Sequence, residues 1–442
     1  MSLLQARARD LLGEVRADRA GARAIGRLAS YDGLMLEATG FTRPIGAGAR
    51  IVSANDQVSR AEVVGFRGNR TLLMALDGAA AHANGARVEP DASSALAEVG
   101  PALLGRVVDG LGQPLDGLGP VGAVDKWPLA GRTENPLSRA RVTEVFDTGV
   151  RGVNALLTAG VGQRIAIVAG SGVGKSVLMG QMIAGADADV IVVGLIGERS
   201  REVSDFLATK LPPEVRRKSM VVAVPADHAP LLRLRAAMRA TAIAEDFRAR
   251  GLKVLLLVDS LTRVAHAQRE IGLSLGEPPT VKGYPPSALG LIPKLVERAG
   301  ADALTGGSIT ALYTVLADGD DNQDPIVDAA RAIVDGHIIL SRALAEQGVY
   351  PAIDVGRSLS RVMTDIVAPE HAAAAAALRR LWSAFEENRD LILMGAYAPG
   401  NDPLIDEAIV RRPELLDFLT QAPAERAAFA ESVAGLVGMM VQ

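Results

Sequence analysis

The chain of 442 residues carries 47 Lys and Arg against 51 Asp and Glu, a net charge of −4, 49% hydrophobic residues and no cysteine. That length and apolar content predict a globular protein of about two to four domains. The missing cysteines exclude disulfides, thiolate metal sites and cysteine nucleophiles, and the near-neutral charge excludes a broadly basic nucleic-acid coat.

Residues 1–23 read as one amphipathic helix, with Leu4, Ala8, Leu11 and Val15 recurring on one face. Such a helix either packs on its own domain or docks a partner or an anionic membrane surface. The same stretch lacks the apolar core of a signal peptide. The longest apolar runs, such as residues 254–258, fall far short of the ~20 residues a membrane span needs. The expected location is cytoplasmic.

Residues 24–95 change to short strands with turn punctuation. Residues 24–31 and 34–38 flank Asp32-Gly33, a hairpin signal, and residues 49–54, 60–66 and 70–76 follow. Closely spaced short strands predict a small β-barrel. A barrel that binds single-stranded RNA needs stacking aromatics, and only Tyr31, Phe41 and Phe66 occur in the first hundred residues, with 12 Arg against 11 acids. A structural barrel without a nucleic-acid partner is the better reading.

Residues 96–365 alternate apolar strands with helices, as an α/β parallel sheet does. Strands are expected at 164–169, 190–194, 221–224, 254–258 and 309–315. Residues 366–442 are helical: 372–381 is nearly all helix former, and Asp402-Pro403 and Arg412-Pro413 read as the starts of later helices.

The decisive stretch is Ala169-Gly170-Ser171-Gly172-Val173-Gly174-Lys175-Ser176-Val177, set between an apolar strand and a helix. That is the context of a phosphate-binding loop, in which backbone N–H groups and the helix dipole cradle phosphates. Gly170 to Val177 are therefore the expected nucleotide-binding residues. Lys175 supplies a point charge to the β- and γ-phosphates, and Ser176 a hydroxyl to Mg²⁺. Ala169 stands where the pattern asks for glycine. A second signal is the apolar strand ending in Asp259, the arrangement by which phosphate-loop enzymes hold Mg²⁺. Third is Gly197-Glu198-Arg199-Ser200-Arg201-Glu202 after strand 190–194. A carboxylate at that edge either polarises an attacking water or belongs to a solvated charge cluster, and spacing alone leaves both open.

The phosphate loop, Gly197-Glu198-Arg199, Val258-Asp259-Ser260-Leu261-Thr262-Arg263 and Leu340-Ser341-Arg342 together resemble the rotary ATPase superfamily of F-type and V-type catalytic subunits. Arg269-Glu270-Ile271-Gly272, Glu277-Pro278-Pro279-Thr280, Lys282-Gly283-Tyr284, the run from Gly319 to Ile326 and Asp335-Gly336-His337-Ile338 resemble type III secretion ATPases, above all the flagellar export ATPase. The resemblance implies a RecA-like core between an N-terminal β-barrel and a C-terminal helical domain, with ATP as substrate and Mg²⁺ as cofactor. It implies that Glu198 orients the hydrolytic water, that Lys175 and Arg199 contact phosphate, that Asp259 holds Mg²⁺ through water, and that Arg263 also approaches the phosphates. Tyr350 matches a position that packs on adenine, its alternative being a core tyrosine. Arg361 matches an arginine finger that reaches a neighbouring subunit, worth about 10³–10⁵ in rate. With both groups on one chain, a homohexamer is implied. So are a regulatory protein at the N-terminal helix, a coiled-coil central stalk, export chaperone–substrate complexes, an export gate and peripheral association with the inner-membrane export apparatus. A virulence-type secretion ATPase, a non-catalytic ring subunit and an RNA-translocating hexamer are the competing readings.

Overall fold

A computed structural model of the chain describes residues 25–53, 56–77, 82–122, 125–133, 135–317 and 324–440. The helix expected over residues 1–23, with the docking role attached to it, lies outside them, as do residues 319–323. The chain divides into two compact units, Met1–Leu96 and Ala97–Gln442.

In the first unit six antiparallel strands close a barrel: β1 (Gly26–Tyr31), β2 (Met35–Thr39), β3 (Gly48–Val52), β4 (Val58–Arg67), β5 (Arg70–Ala75) and β6 (Arg87–Asp91), in the order β1-β2-β5-β4-β3-β6. The Asp32-Gly33 turn forms as expected, the Asp32 carboxylate accepting from the backbone N–H of Leu34 and Met35 at 3.1 and 2.8 Å. Alternate residues point inward, so Leu28, Leu36, Phe41, Ile51, Val63, Leu73 and Val88 fill the interior. The strand that closes the barrel, β6, was not expected. It contains Pro90, which weakens any strand reading, and Val88 is its one fully buried side chain.

The second unit is built on a sheet of strands β7 (Val107–Val108), β8 (Arg164–Ala169), β9 (Val190–Ile196), β10 (Ser219–Val224), β11 (Lys253–Asp259), β12 (Ser308–Leu316), β13 (Gly336–Ile339) and β14 (Leu359–Ser360). Their order is β14-β13-β8-β12-β11-β9-β10-β7, parallel except for the edge pair β13–β14. Both faces are covered, which is why these strands read as unbroken apolar runs. Ile165, Ile167, Leu255 and Leu257 enter one core, and Ala166, Val168, Leu256 and Val258 the other. Around the sheet pack helices α1 (Lys175–Gly185), α2 (Ser200–Thr209), α3 (Pro230–Ala249) and α4 (Leu261–Ser274).

Helices α5 (Pro369–Leu393), α6 (Pro403–Leu419) and α7 (Phe429–Met440) follow, and Trp382, Leu415 and Leu436 extend the first of those two cores. Asp402 caps α6, accepting from the Leu404 N–H at 2.8 Å. Arg412-Pro413, however, starts no helix: Pro413 sits inside α6. An interior proline removes one helical hydrogen bond and crowds the preceding turn, at a cost of about 3 kcal/mol. Packing outweighs it, since the Arg412 guanidinium lies 3.9 Å from the centre of the Trp382 ring and pairs with Glu386 at 2.6 Å.

Candidate active site

The segment after β8 turns sharply and enters α1. Gly172 and Gly174 have φ of +79° and +92°, the left-handed region open to glycine. A Cβ on Gly174 would also come within 3.2 Å of the Tyr350 ring, so glycine serves both the turn and the tyrosine's approach. Gly170, Ser171, Gly172, Gly174, Lys175, Ser176 and Val177 line a cavity of about 450 Å³ at the N-terminus of α1, where the backbone presents the positive end of the helix dipole. Val173 is different: its side chain is buried in the core beneath the loop, so it contributes main chain alone. Ala169, at the position where glycine was expected, is equally buried, and its methyl group packs in the same core.

Register brings the acids to that cavity. In the β9–β11 ladder Leu195 lies opposite Asp259, so Glu198, three residues on, reaches the same sheet edge. Lys175 Nζ lies 2.5 Å from Asp259 Oδ1 and 3.5 Å from Glu198 Oε1. Thr314, on the intervening β12, donates its hydroxyl to the same Asp259 oxygen at 2.5 Å. Burial pushes the Glu198 carboxyl above its ordinary range; the Lys175 ammonium opposes this and the Asp259 carboxylate adds to it.

Glu198 Oε1 is buried without a hydrogen-bond partner and faces the Lys175 ammonium at 3.5 Å, so it keeps an unused acceptor at the edge of the cavity. One ammonium between two carboxylates also leaves a deficit of positive charge where a polyphosphate would enter. A hydrated divalent cation between Ser176, Asp259 and the phosphates fits that balance. Among the described residues no group of three His, Cys, Asp or Glu side chains could hold a metal alone, so phosphate oxygens and water would supply the remaining ligands.

Arg199 and Arg263 line the same cavity. Gly197, with φ +71°, would place a Cβ 2.7 Å from Arg263 Cβ, so its bareness lets Arg263 sit beside Glu198. Arg263 Nε is buried without a partner. The Arg199 side chain is three-quarters exposed and meets Glu202 at 3.5 Å, a surface pair of little energy. Tyr350 is a little over a third exposed beside Gly174, with its carbonyl accepting from the Gln421 N–H at 2.8 Å. Arg361 is not brought to this cavity. It lies beyond the opposite end of β8, exposed, its Nη2 3.4 Å from the Arg331 carbonyl. Sequence reasoning passed over Thr314 and Lys210, which also border the site, as does Glu202 at the end of the Gly197–Glu202 string. Only the β11–β12 register reveals Thr314, and Lys210 is recognisable from sequence only as one of 7 lysines among 47 basic residues.

Residues 149–360 match the ATP synthase alpha/beta family, nucleotide-binding domain, and residues 367–437 match the T3SS EscN ATPase C-terminal domain. A flagellum-specific ATP synthase of Salmonella typhimurium is 52% identical over 424 residues, covering 94% of this chain and 93% of that one. The chain belongs to the flagellum-specific ATP synthase family. Among solved structures, the assembled ATPase EscN from the type III secretion system of enteropathogenic E. coli superposes with a TM-score of 0.88 at 40% identity, covering 94% of this chain and all of that one. EscN in complex with its central stalk EscO gives 0.85 at 39% identity. Barrel, parallel-sheet core and C-terminal helices are thus the architecture of a type III export ATPase, and the higher identity to the flagellum-specific relative favours the flagellar branch over the virulence one. ATP is the substrate of this family's nucleotide-binding domain, and the chain is an ATPase.

Proposed function

We propose that this flagellum-specific ATPase hydrolyses ATP with Mg²⁺ in a homohexameric ring and couples the cycle to chaperone release, unfolding and export of flagellar proteins. The observation that carries the catalytic part is the phosphate-loop lysine held between Asp259 and Glu198. On nucleotide entry Lys175 turns from the carboxylates to the β- and γ-phosphates. Glu198, relieved of its counter-ion, accepts a hydrogen bond from the attacking water through the oxygen that has no other partner. Ser176 and Asp259 would hold a magnesium ion, which would supply positive charge against that developing on the phosphates. Arg199 and Arg263 supply further positive charge at the cavity wall, and Tyr350 stacks on the adenine beyond Gly174. Glu198→Gln tests this: the variant should bind ATP and lose turnover, and unchanged turnover would remove the mechanism.

Arg361, placed away from its own subunit's cavity, acts on a neighbour's γ-phosphate. Assembly is supported by the likeness to assembled EscN, and a coiled-coil stalk in the ring's centre by the EscN–EscO complex. A regulatory protein on residues 1–23, chaperone–cargo complexes on the helical domain of residues 366–442, the export gate and an anionic inner-membrane surface complete the reading. Among the described residues no helix is long and apolar enough to cross a membrane, so peripheral attachment is the form we propose. The reading includes no RNA partner, because Phe41 is buried in the barrel core and Tyr31 half-buried against it, which leaves Phe66 as the one exposed aromatic among the described residues of the barrel. Motile cells with intact filaments after deletion of the gene would overturn the flagellar role.

A further inference from the structure

Among the described residues the exposed Arg361 side chain is held by one long hydrogen bond, Nη2 donating to the Arg331 carbonyl at 3.4 Å. Its place is fixed through the backbone instead. The Arg361 N–H donates to the Asp335 carbonyl at 2.9 Å, and Ser360 pairs with Gly336 in the short β13–β14 ladder. Behind this ladder lies Gln163, fully buried at the start of β8. Its amide is divided between two tasks. Oε1 accepts from the Gly160 N–H at 2.9 Å, closing the turn that leads into β8. Nε2 reaches about 170 and 200 residues along the chain, donating to the Asp335 carbonyl at 3.1 Å and to Ser360 Oγ at 3.2 Å. One carbonyl therefore holds both Gln163 and Arg361, and the hydroxyl that precedes Arg361 in sequence is held from the other side by the Thr158 carbonyl at 2.8 Å. Gly336 makes the approach feasible, since a Cβ there would stand 3.0 Å from Gln163 Nε2. The neighbouring Arg164 fixes Asp335 in turn, through Nε to Oδ2 at 2.9 Å and Nη2 to Oδ1 at 3.0 Å.

We infer that Gln163 is a positioning residue for Arg361, its carboxamide setting where the guanidinium is offered to the adjoining subunit. This rests on the reading of Arg361 as a finger acting in trans. A turn-closing glutamine needs an acceptor alone; the two donor contacts serve the strand that delivers Arg361. Displacing a charged group by about 1 Å from its productive position costs on the order of 10²-fold in rate, so the amide's loss is felt in turnover before binding.

The test is a double-mutant cycle on the assembled ring. Gln163→Met, of similar volume, should lower kcat by about 10- to 100-fold with KM for ATP within about threefold. Added to Arg361→Ala, the same substitution should change kcat by less than about twofold, because its target is already gone. An equal fall in both backgrounds, or no fall in the first, overturns the inference. Ser360→Ala cuts the same link from its far end and carries the identical cycle if Gln163→Met does not assemble. The reading beneath is judged apart: full-rate Arg361→Ala removes the trans finger, whereas an inactive Arg361→Ala with a fully active Gln163→Met removes only the role of Gln163.

Discussion

At the residue scale the site holds one ammonium, Lys175, between the carboxylates of Glu198 and Asp259. Glu198→Gln should lower kcat by about 10²–10⁴-fold, the usual range for a positioned proton acceptor, while ATP binding persists in a filter or fluorescence assay. Because burial raises the Glu198 carboxyl in the nucleotide-free site, the acid limb of the kcat/KM–pH profile should lie above the ordinary glutamate value of 4.5 and vanish in the variant. The same shift sets a stability trend. A carboxyl whose folded value is raised favours the fold in its neutral form, so its contribution is lost as pH climbs from the ordinary value through the raised one. Glu198→Gln should therefore gain Tm over the parent at pH 8 and gain less at pH 5. Thr314→Val removes the hydroxyl held on Asp259; a net hydrogen bond of about 1 kcal/mol should appear as a several-fold rise in the Mg²⁺ needed for half-maximal turnover. Lys175, Glu198 and Asp259 were legible in the sequence because each follows an apolar strand within a recognisable string. Thr314 sits mid-strand among apolar neighbours, and nothing in a linear pattern says which carboxylate it will face.

At the element scale, legibility followed burial pattern. Strands β8 to β12 announce themselves as apolar runs bounded by turn residues, whereas β6, with Pro90 and little apolar content, became a strand because the barrel had two open edges to satisfy. Pro413 shows the opposite error: local backbone chemistry reads as a boundary, and the stacking of Arg412 on Trp382 carries the helix through it. Trp382→Ala should cost about 3–5 kcal/mol, seen as a lower Tm and denaturant midpoint, because it opens the core under α5 and α6 and removes the ring on which Arg412 stacks. Gly174→Ala tests the loop. The left-handed backbone and the 3.2 Å approach to Tyr350 both oppose a methyl group, so ATP affinity should fall at least tenfold with little change in Tm.

For the whole molecule, the separation of Arg361 from its own subunit's cavity leads the proposed trans action to a prediction about single copies. Specific ATPase activity should rise cooperatively with protein concentration, and Arg361→Ala should assemble normally in light scattering while losing most activity. A dilute monomer hydrolysing at the full ring rate would contradict both. Sequence motifs supplied the parts of this arrangement but not their distance from one another, which depends on strand order. The strand Arg164–Ala169 then acquires a mechanical meaning. Its six residues, about 20 Å of extended chain at ~3.3 Å each, run through the core with the phosphate loop at one end and the anchorage of Arg361 at the other. If Arg361 acts on a neighbour as proposed, a subunit's own nucleotide site and the group it lends next door stand at the two ends of this one strand, so a shift of the strand on loss of a γ-phosphate would let a vacancy in one pocket slow the chemistry in another without any separate relay.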